Sequence, residues 1–186
     1  MDEQGDQGPQ PLHNDAQMNI WPLQKDCNAF YGNPGNFQAQ WQVWEAANLV
    51  DVPCPWKIFF IDGKLVQPVP AIRIHKLCAD ALKAALGNIW DAVGHDQSAI
   101  ETLHYHHYSG SYNQRPMRGG TARSMHGFGA AIDWDAEENE QHSTKHLFQE
   151  NSLIVVKFKE QGAVWGGDWS PQSIDAMHLQ FARVHP

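Results

Sequence analysis

The sequence predicts an α+β fold, a small antiparallel sheet with helices packed on it. Three observations carry that reading. Short strand-like runs recur at Lys57 to Ile61, Leu65-Val66, Ile72 to His75, Ala130 to Asp133 and Met177 to Phe181. One stretch, Lys76 to Val93, instead repeats Leu77, Ala81, Leu82, Ala85, Leu86, Ile89 and Trp90 at helical spacing. Short strands around one long helix, in this order, suit a sheet covered by helices rather than a bundle. At 186 residues the chain is long enough for one domain with a sizeable core.

Residues 1–18 read as a flexible tail, and 19–186 as a single domain. Met1 to Asn14 is acidic, polar and rich in Gln. It lacks the basic start and apolar run of a signal peptide, and no later stretch is apolar for long enough to cross a membrane. From Trp21 the composition shifts to aromatics mixed with turn residues, as in Phe30-Tyr31-Gly32-Asn33-Pro34-Gly35 and Trp41-Gln42-Val43-Trp44. The rings are expected to fill an irregular small core, with a carbohydrate-stacking surface as the alternative.

Val52-Pro53-Cys54-Pro55-Trp56 reads as rigid loop, and Asp62-Gly63-Lys64 as the turn of a hairpin. Thr102 to Tyr108 reads as a strand that places His104 and His106 on one face, a competing metal pair. His142 and His146 are spaced for one face of a helix running through Thr144 to Glu150. The Glu of His-Glu-x-x-His is missing between them, so a solvated face is expected. Asn151 to Glu160 reads as helix or strand, because Leu153-Ile154-Val155-Val156 is largely β-branched; helix is the expectation, with a break at Gly162. Trp165 to Trp169 is read as a loop before the last strand.

A net charge of −8 argues against a nucleic-acid binder, which shows a basic face, and against electrostatic attachment to anionic polymers. The three cysteines, Cys27, Cys54 and Cys78, form no Cys-x-x-Cys pair. They read as free thiols, consistent with synthesis in a reducing compartment.

The chemistry concentrates in two stretches. Ser124-Met125-His126-Gly127-Phe128-Gly129-Ala130-Ala131-Ile132-Asp133 carries a histidine and a carboxylate among small residues. Asp175-Ala176-Met177-His178-Leu179-Gln180-Phe181 supplies a second histidine and a second carboxylate. Alternation turns Asp133 to one face of its strand, and His178 and Gln180 to one face of theirs. Pairing the two strands would bring His126, Asp133 and His178 around one ion. Two imidazoles and a carboxylate form a zinc set that leaves a position open for water. Asp175 lies at the entrance to its strand, within reach of that water without binding the ion. Taken singly, each residue has a plainer role: a surface histidine, a helix-capping Asp133, turn glycines. Together those roles leave unexplained why both strands carry inward polar residues.

These stretches resemble the zinc motifs of the M15 peptidases, the family of D-alanyl-D-alanine carboxypeptidases and phage endolysins. Its Ser-x-His-x-x-Gly-x-Ala-x-Asp pattern is met by Ser124, His126, Gly129, Ala131 and Asp133, and its Asp/Glu-x-x-His by Asp175 and His178. Trp165-Gly166-Gly167-Asp168-Trp169 is similar to the Trp-Gly-Gly segment ahead of that histidine. Tyr112-Asn113-Gln114-Arg115-Pro116-Met117-Arg118-Gly119 is similar to the arginine-bearing segment. The likeness spans roughly residues 104–183.

The resemblance implies Zn2+ held by His126, Asp133 and His178, with Asp175 as general base. It implies Arg115 as the cation facing the substrate oxyanion, with Arg118 as rival. Ser124 and Trp169 are assigned to substrate binding. It further implies the fold of the Hedgehog signalling domain and of the D-alanyl-D-alanine peptidases. The expected substrate is the peptidoglycan stem peptide, cut by a monomer without nucleic-acid partner or membrane anchor. L-alanyl-D-glutamate endopeptidase is favoured over D-alanyl-D-alanine carboxypeptidase, on analogy with lysins of this size that lack a secretion signal. Such an enzyme is made in the cytoplasm and reaches the wall by phage-type release. The competing expectation, from a different class, is a zinc-stabilised binding module without activity; Asp175 and Arg115 argue against it.

Overall fold

The computed structural model describes residues 21–115 and 122–185. The expected tail at 1–18 and Arg118 lie outside the described residues. The chain mixes α and β elements. A short helix α1 (Cys27–Phe30) leads to α2 (Gln38–Asn48), then to strand β1 (Leu49–Val52) and the hairpin of β2 (Ile58–Asp62) and β3 (Leu65–Val69). Strand β4 (Ile72–His75) feeds α3 (Ala79–Ala92), followed by α4 (Gln97–Thr102), β5 (His107–Gly110) and β6 (Ala131–Trp134). Helix α5 (Leu153–Lys159) and strands β7 (Val164–Trp165) and β8 (His178–Gln180) complete the order.

The main sheet has six strands in the order β3-β2-β5-β6-β8-β7. It is mixed rather than wholly antiparallel, because β5 runs parallel to β2 while every other neighbour pair is antiparallel. A helical connection between β2 and β5, through α3 and α4, makes the parallel pairing possible. Strands β1 and β4 form a separate two-stranded sheet. The hairpin turn follows the sequence: Asp62 pairs with Leu65, and Gly63 between them takes φ 55°.

Helix α3 buries Leu82, Ala85, Leu86 and Ile89 of the stripe read from the sequence, together with Ala79, and packs on α5; Leu77 precedes the helix and is exposed. Burial of that apolar stripe, at about 25 cal/mol per Å2, holds the helix layer in place. Helix α2 was not anticipated. Its Trp44 is buried, its Nε1 donating to the Tyr31 carbonyl at 3.2 Å, whereas Val43 is exposed.

Two expected elements are corrected. His104 and His106 do not share a strand: α4 ends at Thr102, residues 103–106 turn, and β5 begins at His107. His104 takes φ 63°, which a strand cannot accommodate. No helix runs through His142 and His146 either. Asn139 organises an irregular loop there, its Oδ1 accepting from the Phe148 amide at 2.7 Å and its Nδ2 donating to the Asp135 carbonyl at 3.0 Å. Burial of Phe148 anchors that loop, and His142 has φ 67°. The three cysteines are free thiols. Among the described residues, no helix is long and apolar enough to cross a membrane.

The small sheet touches the functional stretch at Gly129. Its carbonyl accepts from the His75 amide at 2.7 Å, and its φ of 60° closes the single 3-10 turn Met125–Phe128. A Cβ at this position would lie 2.7 Å from Leu49 Cδ2 and 3.0 Å from the His75 amide nitrogen. Gly129→Ala is therefore expected to cost roughly 1–3 kcal/mol, the scale of a strained backbone conformation. Chemical unfolding of the two proteins side by side measures this, and equal midpoints would contradict it.

Candidate active site

Asp133 and His178 are direct partners across the antiparallel β6–β8 pair, which sets their side chains next to each other on one face. His126 arrives from the 3-10 turn, whose N-terminal cap is Ser124: the Ser124 hydroxyl accepts from the His126 amide at 3.3 Å. His126 Nε2 then lies 3.2 Å from His178 Nδ1 and 3.2 Å from Asp133 Oδ2. His178 Nδ1 is 3.0 Å from Asp133 Oδ1. Ligands held tetrahedrally at about 2.0–2.1 Å from zinc are themselves about 3.3 Å apart, so the spacing fits that ion.

Proton placement makes the same point. His126 Nδ1 faces the Ser111 carbonyl at 2.6 Å. A carbonyl only accepts, so Nδ1 carries the hydrogen and Nε2 presents a lone pair. His178 Nε2 faces Gln180 Oε1 at 3.0 Å. The Gln180 amide is oriented by its own Nε2, which donates to the Ala182 carbonyl at 2.7 Å. His178 thus donates from Nε2 and presents Nδ1. Two imidazole lone pairs and a carboxylate converge with no hydrogen between them, and only a cation or a proton stabilises that arrangement.

Where protons rather than a cation bridge the cluster, the electrostatics show how strongly the three groups couple. Burial would raise the Asp133 carboxyl, but the charge of His126 and hydrogen bonds from His126 and His178 outweigh it and hold Asp133 well below the usual carboxylate range. Burial would likewise lower His178. The hydrogen bond and charge of Asp133, with Asp175 adding to them, instead raise it above 6.5.

A cavity of about 370 Å3 opens over this cluster. Asp175 lines it together with His126, Asp133 and His178, and is itself buried. Its backbone is fixed on both sides: the Asp175 amide donates to the Gly166 carbonyl at 3.0 Å, and the His178 amide donates to the Asp175 carbonyl at 3.1 Å. A Cβ at Gly166 would sit 2.3 Å from the Asp175 carbonyl oxygen, so the Trp-Gly-Gly segment is glycine there to let that turn approach.

Arg115, Ser124 and Trp169 line the same cavity. The Trp169 ring lies 5.4 Å from the His178 ring, and its Nε1 is buried without a hydrogen-bond partner among the described residues. Ser124 also has the structural duty of capping the turn that carries His126.

All seven sequence-derived site residues thus border one cavity. His104 and His106 are elsewhere. The cavity also holds His142, for which the sequence predicts a solvated helix face, and Gln141, which carries no signal in the sequence. Gln180 was legible, since it shares a strand face with His178. The Ser111 carbonyl was not, because a backbone acceptor leaves no signal in residue type.

Residues 118–181 match a family model described as D-alanyl-D-alanine carboxypeptidase. The matched segment contains His126, Asp133, Asp175 and His178, and it supports a peptidase of the M15 type. No curated protein and no solved structure matches the chain.

Proposed function

We propose that the chain is a zinc-dependent peptidase that hydrolyses stem peptides of bacterial peptidoglycan, with the L-alanyl-D-glutamate bond the favoured target. The observation that carries this reading is the convergence of His126 Nε2, His178 Nδ1 and the Asp133 carboxylate in a cavity that also contains Asp175. A fold of the Hedgehog and D-alanyl-D-alanine peptidase type belongs to the same reading. It is supported by the antiparallel β5-β6-β8 core that presents the cluster.

His126, Asp133 and His178 would hold zinc. Bound there, the ion supplies a Lewis acid that polarises the scissile carbonyl and acidifies water. Asp175 accepts the proton of the attacking water and returns it to the departing amine, within hydrogen-bond reach of the same cavity. Arg115 offers guanidinium donors to the carbonyl oxygen as it gains negative charge. Trp169 offers its buried N–H and ring to the substrate backbone, and the Ser124 hydroxyl borders the same space. A non-catalytic zinc module would need neither Asp175 nor Arg115 beside the cluster, and a closed structural site would want a fourth protein ligand.

Internal cleavage is supported by the shape of the surroundings. Arg115 is shared with a second cavity lined by Asn28, Asn33 and Trp41, while Gln24, Trp169 and Ser173 are shared with a third. These shared residues set a further cavity on either side of the one over the cluster, room that a bond within a chain would use. The family description favours the second reading, removal of a terminal D-alanine. Digestion of purified peptidoglycan with mass spectrometry of the products separates them: new L-alanine carboxyl and D-glutamate amino ends support the endopeptidase. Free D-alanine would assign the carboxypeptidase, and an undigested wall would contradict both. In the same assay Arg115→Lys is expected to fold normally and lose about 10²- to 10³-fold in turnover, the scale of a lost oxyanion donor. Unchanged turnover would remove Arg115 from that role.

A further inference from the structure

A second cluster with the same donor set stands just past the end of β6, where Asp135 follows Trp134. His104 Nδ1 lies 3.0 Å from Asp135 Oδ2, and His107 Nδ1 lies 3.0 Å from Asp135 Oδ1. One donor atom from each of the three residues falls within 4.8 Å of the others. We infer that His104, His107 and Asp135 form a second binding site for a divalent cation of the zinc class, which clamps the α4–β5 turn to the end of β6.

Burial, charge and backbone geometry at this cluster support the inference. The Asp135 side chain is 1% exposed, whereas those of His104 and His107 are 37% and 21% exposed. A sealed carboxylate thus lies beneath two rings that reach solvent, leaving outward positions for water on a bound ion. The ion pairs of Asp135 among the described residues are with these two imidazoles, which are neutral unless protonated; a bound dication supplies the countercharge that a buried carboxylate needs.

The main chain holds the donors in place as well. The Asp135 amide donates to the His107 carbonyl at 2.7 Å, and the His107 amide to the His104 carbonyl at 3.2 Å. His104 and Asp135 both adopt left-handed backbone, φ 63° and 46°, at non-glycine positions. Such strain persists where the surroundings over-determine a geometry, and here it falls on two of the three donor residues. Beside them the His106 ring lies 4.1 Å from that of His107, and its buried Nδ1 has no hydrogen-bond partner among the described residues. Two imidazoles with one carboxylate select a borderline cation such as Zn2+ over Ca2+ or Mg2+, which prefer all-oxygen shells.

The alternative is a hydrogen-bonded clamp in which Asp135 merely accepts from two ring N–H groups. A double variant His104→Gln/His107→Gln separates the two, because a glutamine amide still donates to Asp135 but binds zinc poorly. Equilibrium dialysis against low-micromolar Zn2+ is the readout, with circular dichroism to confirm folding. The wild-type chain is expected to hold two equivalents. The double variant should hold one and digest peptidoglycan as before, and His126→Ala should also hold one but digest nothing. A wild-type chain with one equivalent, lost in His126→Ala and kept in the double variant, would overturn the second site and leave the peptidase reading intact. One equivalent lost only in the double variant would support the second site and overturn the metal assignment of the peptidase.

Discussion

Asp175→Ala is expected to keep its active-site zinc and lose hydrolysis by roughly 10²- to 10⁴-fold, the range for removing a general acid–base group. Asp175 borders the cavity from the turn before β8, held there by the Gly166 carbonyl, and is separate from the three converging donors. Its removal leaves all three in place. Asp175→Glu keeps the carboxylate but lengthens its reach, so a small residue of activity should remain. Asp133→Ala should behave in the opposite way, because it takes away the carboxylate whose Oδ2 lies 3.2 Å from His126 and whose Oδ1 lies 3.0 Å from His178. Zinc content measured beside cleavage of a purified wall peptide distinguishes them. Loss of metal in Asp175→Ala with retention in Asp133→Ala would exchange their roles. Retention of both metal and turnover in Asp175→Ala would remove it as the base.

Much of the site was legible because its residues sit on short periodic strands. Asp133 and His178 each interrupt an apolar alternation, and that pattern predicted a shared face. The ladder then makes them direct partners. Helix α3 was legible for the same reason, since its stripe repeats over four turns with nothing to compete. What was missed depends on contacts distant in sequence. Helix α2 follows Phe30 to Gly35, whose turn residues drew the reading toward loop. Its Trp44 is held by the Tyr31 carbonyl, thirteen positions away.

The loop at 135–152 looked helical from His142 and His146, yet Asn139 and buried Phe148 dictate its course, and neither is visible as periodicity. His104 and His106 looked like a strand pair because alternating residues between turn signals read that way. In the fold, His104 turns back toward Asp135, and it is His107 that begins the strand. The parallel pairing of β2 with β5 was hidden for a related reason: the intervening helices α3 and α4 are of unequal length and do not advertise a crossover.

The central claim is that His126, Asp133 and His178 hold the metal on which hydrolysis depends. It is tested most directly by metal content and cleavage in His126→Ala and His178→Ala. Each substitution removes one of two imidazoles whose lone pairs are aimed by the Ser111 carbonyl or the Gln180 amide. Two remaining protein ligands are too few for a stable catalytic site. Atomic spectroscopy on the folded variants is expected to show one zinc equivalent fewer than the wild-type chain, with digestion of peptidoglycan reduced to background in both. A full complement of zinc in both variants, with digestion unimpaired, would contradict the account.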